Sequence, residues 1–455
     1  MKQGPLTERD HFLSVFQSAA ASVERQAAKS RAEGAPEGVT RSSLEGAAAE
    51  VARLRYEGMR EALPSPPAEG LERLSPSDTA RICATLGFRY MQAKVIGDTA
   101  TADRISSELV GATCDPRWVR TIDEYLKYFG PNGTRRNIPY IRAASVGDQT
   151  IKIGKAARIG LIGDWGTGAE PARRLLTQLK AQGVDLVIHL GDIYYSGTPE
   201  ECRVNFSAIF DDVFGTPKMR IPVYSLSGNH DMYCGGVGYY GMIKKLNAAP
   251  YKQPASFFCL RSEDASWQFL AMDTGLHDYS PFTVGDAVPW LETDEEEWHL
   301  KRIKEFDGKT VLLSHHPLFS AFSPIGKPDA NGKLPAFNPK LKDSFDRLRA
   351  IGKPLPAWFW GHEHNLCIYG SYLDLARGRC LGHSAIPVFA EDDPYEAVPA
   401  IVDPPSLIEG TKVAKAGEVY AHGFAIMTLA GSSMKVHYFE DRESDCVATF
   451  AESVE

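Results

Sequence analysis

Asp164, Asp192, Asn229, His315, His362 and His364 all stand at or just past the end of a short apolar run. The runs read RIGLIGDWG (158–166), DLVIHLGDIYY (185–195), PVYSLSGNHD (222–231), TVLLSHHP (310–317) and AWFWGHEH (357–364). Carboxylates and imidazoles together suit zinc, iron, manganese or nickel better than magnesium or calcium. An aspartate can bridge two ions through its two oxygens. Two ions about 3.5–4 Å apart form a clamp for in-line displacement at phosphorus. His362 and His364 are two residues apart. On an extended strand they would share a face; in a turn they would reach two neighbouring metals.

These donors need elements that bring them together. A bounded apolar run of this length predicts a buried strand, and in open α/β sheets ligands gather beyond the carboxyl ends of the strands. Between the runs, PARRLLTQLKAQG (171–183) predicts an amphipathic helix with Leu175, Leu176 and Leu179 on one side, ending at Gly183. PEECRVNFSAIFDDVFG (199–215) predicts another. Strands alternating with helices of this length indicate βαβ units. SFFCLR (256–261) with SWQFLAMD (266–273), and GFAIMTLA (423–430) with MKVHYFE (434–440), predict two hairpins. Thr293 and Glu296 form a capping-box pattern for a helix through Trp298 and Ile303, and Asp294 to Glu297 read as its solvated start. The Pro- and Gly-rich segment 318–340 is either a cover for the site or a solvated connection. Residues 391–412 read as an acidic, Pro-rich loop.

The chain has 455 residues, 43% of them hydrophobic, a net charge of −8 and eight cysteines. It can bury a large core, and its acidic balance argues against a nucleic-acid partner. No apolar run is long enough for a membrane span. The first residues, MKQGPLTERDHFLSVFQSAA, lack an apolar signal core, so a cytoplasmic location is expected. The scattered cysteines, with no C-x-x-C pair, read as reduced thiols. Residues 1–115 read as a helical N-terminal region, with helices over 7–32, 42–63 and 76–95. Residues 116–155 read as a connector with some strand character, and 156–455 as the catalytic domain. The oligomeric state is not legible.

The ordered series GD (163–164), GD (191–192), GNHD (228–231), H-x-P (315–317) and GHEH (361–364) resembles the calcineurin-like metallophosphoesterase superfamily over roughly residues 156–440. Gly166 stands where most of that superfamily has a histidine, and Tyr195 follows Asp192 by three residues. That pattern is most similar to the purple acid phosphatases. The resemblance implies an α/β (α+β) fold, a four-layer αββα sandwich, here with a helical N-terminal region. It implies two metal ions: Fe(III) held by Asp164, Tyr195 and His364, and a divalent ion (zinc, iron or manganese) held by Asn229, His315 and His362, with Asp192 bridging. It further implies a phosphate ester substrate attacked by a metal-bound hydroxide, with charge stabilisation and proton donation by His230 and with Asp231 orienting the His230 ring. A phosphodiesterase or nuclease with the same ligands is the alternative. A non-catalytic metal-binding scaffold is a third reading.

Two departures from the family pattern stand out. Plant-type enzymes carry a β-sandwich ahead of the catalytic domain, where this chain has a helical segment. The second histidine that often follows H-x-P is missing from LFSAFSPIGKP (318–328), leaving His316 as a stand-in or a neighbour pointing away. Tyr233 is a candidate for the rim, and Trp165 for packing rather than substrate stacking. His189 reads as a satisfied core histidine and His383 as a hydrogen-bonded histidine near a strand end, whereas His277 and Asp278 read as ordinary polar residues rather than part of the rim.

Overall fold

The computed structural model describes residues 100–101 and 138–455, apart from 195, 280–286, 324, 387, 389–392, 417–418 and 443. The helices expected over 7–32, 42–63 and 76–95 lie outside the described residues.

Two sheets carry the fold. The first orders Cys446–Val454 (β13), Ser433–Asp441 (β12), Gly423–Ala430 (β11), Arg158–Ile162 (β2), Leu186–His189 (β3) and Val223–Ser225 (β4) as six hydrogen-bonded neighbours. β2, β3 and β4 are parallel, and β11 runs antiparallel to β2. The second sheet has seven strands: Ile151–Ile153 (β1), Phe258–Ser262 (β5), Trp267–Ala271 (β6), Lys309–Leu313 (β7), Ala357–Trp360 (β8), Gly378–Leu381 (β10) and Leu366–Ile368 (β9). β6, β7, β8 and β10 run parallel in that order. Both expected hairpins form, as β5–β6 and β11–β12. The described part of the connector is woven into this domain: β1 lies parallel to β5 at the sheet edge.

Period-two alternation decides what each strand buries. Ile159, Leu161 and Ile188 share one apolar cluster with Leu260, Phe269, Leu312 and Phe359 of the other sheet, so the two sheets pack face to face. The intervening residues Ile162 and Val187 face the opposite way. They pack against Leu175, Leu176 and Leu179 of the helix Glu170–Ala181 (α1) and against Phe206 and Phe210. A Cβ on Gly160 would stand 2.9 Å from Leu179, which brings α1 close to β2. On the outer face of the second sheet lie the helices Thr293–Lys304 (α2), through Trp298 and Ile303, and Pro339–Arg349 (α3), through Leu341, Phe345 and Leu348. The architecture is therefore the four-layer αββα sandwich.

Three local expectations change. The 199–215 segment breaks into Pro199–Glu201, a π-helical turn Cys202–Ser207, and Ala208–Phe214, opened by a capping box between Thr198 and Glu201. The capping box at Thr293 does not form: the N-cap is Glu292, with no side-chain cap. The start of α2 is not fully solvated either, since Glu295 is wholly buried and Glu296 nearly so. Glu295 accepts from the backbone of Asp273 and from the hydroxyl of Tyr140, which ties the connector to the core. Cys202, Cys234, Cys259, Cys367 and Cys380 are buried free thiols, and Cys446 is a partly exposed one.

Candidate metal centre

The carboxyl ends of β2, β3, β4, β7 and β8 deliver Asp164, Asp192, Asn229, His315 and His362 to one place. All of these side chains are buried. Three of the residues bend the backbone into the left-handed region: Asp164 at φ 55°, Asp192 at φ 74° and His362 at φ 71°. Non-glycine residues adopt that region at a cost, and such strain gathers at functional sites. The left-handed bend at His362 also settles how the GHEH histidines point. His362 Nδ1 faces Asn229 Oδ1 at 3.1 Å and His315 Nε2 at 3.2 Å, while His364 Nε2 lies 3.7 Å from Asp164 Oδ1. The pair reaches two sides of the cluster, as a turn allows and a shared strand face does not.

Close approach of the loops needs glycine. A Cβ on Gly228 would fall 1.9 Å from Asp192 Oδ1, and one on Gly191 (φ +107°) would fall 2.6 Å from His315 Nδ1. Asp192 Oδ1 accepts from the backbone of His230 at 3.1 Å. Its Oδ2 lies 3.4 Å from His315 Nε2 and 4.0 Å from His230 Nε2, ion-pair contacts only, and has no hydrogen bond among the described residues. His315 Nδ1 is 2.9 Å from the carbonyl of Leu190, which turns Nε2 inward. Asn229 Oδ1 stands 3.1 Å from His315 Nε2. Ligand atoms of Asp164, Asp192 and His315 lie within 4.8 Å of one another, as do those of His315, His316 and His362.

This donor set fits cations. A buried carboxylate oxygen without a hydrogen bond, facing imidazole nitrogens, is costly unless a positive charge meets it. Without a cation the carboxylates part company. Burial, the largest influence, lifts Asp164 to about 8 against the pull of His315, with the charge of Asp192 adding to the rise. Burial works against the Asp192 carboxylate too, but His315 and then His230 hold it below its ordinary value. Burial lowers His364 to about 3. Bound cations reverse this logic by holding both carboxylates ionised and the imidazoles neutral.

The remaining candidates sort by contact. His230 is buried between two phenol rings, Tyr194 at 4.6 Å and Tyr233 at 4.8 Å between centroids. Asp231 does not orient the His230 ring, contrary to expectation. Its carboxylate accepts from the backbone amides of Asp192 (3.1 Å), Ile193 (3.3 Å) and Gly228 (2.8 Å), clasping the two ligand loops together. Tyr233 is not a rim residue: it is buried, and its hydroxyl accepts from Asn229 Nδ2. Trp165 is a core residue, wholly buried, donating to the Ala172 carbonyl and packed edge-on against Phe206 and Phe210. His316 is buried beside His362, with ring centroids 4.4 Å apart. Its Nδ1 lies 3.0 Å from Thr274 Oγ1 and its Nε2 3.1 Å from Asp278. Asp278 thus belongs to the interior rather than the rim. His189 sits in the core 3.0 Å from Ser225.

Tyr195 lies outside the described residues. Among the described residues, Tyr194 brings a phenol to the cluster: its hydroxyl donates to Asp164 Oδ1 at 2.9 Å and lies 3.1 Å from His364 Nε2. The sequence carried the signal, two adjacent tyrosines after Asp192, but the expectation named only Tyr195. Segment 318–340 begins in the core: Phe319 packs on Trp360 and Tyr369, and Ser320 donates to Glu363 between the two GHEH histidines.

Residues 157–366 match the family model described as calcineurin-like phosphoesterase. The chain is 31% identical over 116 residues to tartrate-resistant acid phosphatase type 5 of Sus scrofa, covering 23% of this chain and 34% of that protein. It thus spans about a third of the length of that relative. Among solved structures it is similar to PhoD (TM-score 0.42, 11% identity, 70% of each chain). It is also similar to GAP50, the anchor in the inner membrane complex of Plasmodium (TM-score 0.40, 12% identity, 66% of this chain and 88% of that one). A further match is the calcineurin-like phosphoesterase YfkN from Bacillus subtilis (TM-score 0.28, 11% identity, 65% and 89%). No described helix is long and apolar enough to cross a membrane.

Proposed function

We propose that this calcineurin-like phosphoesterase domain hydrolyses phosphoric monoesters at a pair of metal ions, in the manner of an acid phosphatase. The observation that carries the reading is Asp192 Oδ2: buried, without a hydrogen bond among the described residues, and facing His315 and His230. Asp192, Asn229, His315 and His362 would hold a divalent ion, and Asp164, His364 and a tyrosine a ferric one, with Asp192 shared. When bound, the ions supply a hydroxide nucleophile and neutralise charge on the phosphoryl group.

The protein's own groups do the rest. Asp231 fixes the loops of Asp192 and Gly228 against each other and so holds Asp192 beside Asn229. His230, held between Tyr194 and Tyr233, keeps its Nε2 on the Asp192 side of the cluster. From there it stabilises charge on the phosphoryl oxygens and gives a proton to the departing alcohol. His316 cannot supply that proton while its two nitrogens are engaged by Thr274 and Asp278.

The test compares para-nitrophenyl phosphate with its bis ester, before and after removal of metal by a chelator. A preference for the monoester, lost on chelation and restored by added metal, supports the proposal. A preference for the bis ester moves the domain to the phosphodiesterase reading. Turnover that survives both chelation and Asn229→Ala comes from a contaminant and leaves only the scaffold reading.

A further inference from the structure

We infer that Tyr233 is a positioning residue for the divalent site, acting through the amide of Asn229; this rests on the two-metal reading above. An asparagine side chain is ambivalent, with an oxygen on one side and an NH2 on the other. Only the oxygen can bind a cation. Here Asn229 Oδ1 stands 3.1 Å from both His315 Nε2 and His362 Nδ1, on the side where a cation would sit. Its Nδ2 is turned away and donates to Tyr233 Oη at 2.6 Å. Asn229 is wholly buried and Tyr233 nearly so, at 0% and 1% exposure, so bulk water does not serve as the acceptor.

The tyrosine hydroxyl therefore satisfies the amide N–H in the one orientation that offers oxygen to the metal. Without that hydroxyl, the metal-competent orientation leaves a buried donor unpaired, and the amide gains by flipping its NH2 toward the imidazole nitrogens. Sequence placement makes the contact possible. Asn229 and Tyr233 are four residues apart, on Asn229–Met232 and its C-cap, and so stand on the same side of that turn. The ring of Tyr233 also packs beside His230, a contact that phenylalanine would keep.

The experiment titrates metal-stripped wild-type protein, Tyr233→Phe, Asn229→Ala and the double variant with zinc, against a competing chelator, with circular dichroism checking the fold. Wild type is expected to bind zinc. Tyr233→Phe is expected to bind roughly 10- to 100-fold more weakly, the usual range for lost support of a metal ligand. In the Asn229→Ala background, Tyr233→Phe is expected to change affinity less than about twofold, because no amide remains to orient. Failure of the wild type to bind zinc would overturn the metal-site reading itself. Wild-type binding with unchanged affinity in folded Tyr233→Phe would overturn the positioning role alone. So would an equal loss in both backgrounds, which would indicate a packing effect.

Discussion

The hydroxyl of Tyr194 donates to Oδ1 of Asp164 and lies within hydrogen-bond distance of Nε2 of His364. The family pattern puts the phenolate ligand three residues after the shared aspartate, on Tyr195; the structure brings a phenol to the same two partners from the position before it. A phenolate on ferric iron gives a broad visible absorption, so the two tyrosines can be told apart by colour. Tyr194→Phe is expected to remove the band from iron-loaded protein, and Tyr195→Phe to keep it. The opposite outcome would return the role to Tyr195. A colourless, iron-free, active protein would reject the ferric assignment and leave the hydrolase proposal standing.

In the proposed centre Asp192 is the residue that both metal sites would share. Asp192→Asn keeps the shape but removes the charge that faces His315. Bound metal is expected to fall from about two ions to one or fewer. Turnover of para-nitrophenyl phosphate is expected to fall at least roughly 10²–10³-fold, the scale for losing one transition-state electrostatic contact. Metal analysis and initial rates check both. Full occupancy in the variant would show that Asp192 is not the bridge.

Gly228 makes room for Asp192. A methyl group there would overlap Oδ1, since its Cβ would fall 1.9 Å away. Gly228→Ala is expected to push the two ligand loops apart and lower both metal content and activity. A stability loss of about 1–3 kcal/mol, the range for overpacking, should accompany it. Urea unfolding with metal analysis measures this. Retention of both ions would mean that the loops can spread without losing the site.

His383, which is not among the proposed ligands, offers a pH test. Contrary to the expectation of a hydrogen-bonded ring, His383 is buried and neither nitrogen has a hydrogen bond among the described residues, so burial lowers it to about 3. In the unfolded chain it titrates near its usual value of about 6.5. Below that value the unfolded chain takes up a proton that the folded protein refuses. Stability therefore falls with pH across the window from about 6.5 to 3, by about 2 kcal/mol at pH 5. His383→Leu is expected to flatten the fall of the melting temperature between pH 7 and 5. Parallel curves for variant and wild type would show that His383 accepts its proton in the folded state.

Most of what positions the centre was legible from apolar runs and their ends. The strands ending at Asp164, Asp192, Asn229, His315 and His362 follow from run length, and both hairpins follow from paired runs bounded by turns. The less legible parts depend on contacts far apart in the chain. Glu295 reads as a solvated helix-start charge, yet it is buried because Tyr140 and the Asp273 amide reach it from distant segments. Trp165, read as packing, was legible: it is buried against Phe206 and Phe210.

By itself, the sequence determined the donor types, their order and the strands that carry them, because these are properties of local pattern and side-chain chemistry. Tertiary structure alone decided which way the donors turn. It set the left-handed bend that sends His362 and His364 to opposite sides of the cluster, and it placed Tyr194 inward and Asp231 on backbone amides rather than on His230. The physical reason is that orientation in a dry interior is fixed by whichever partners can satisfy each buried polar atom, and many of those partners come from loops tens of residues away or more, as Tyr194 does for Asp164.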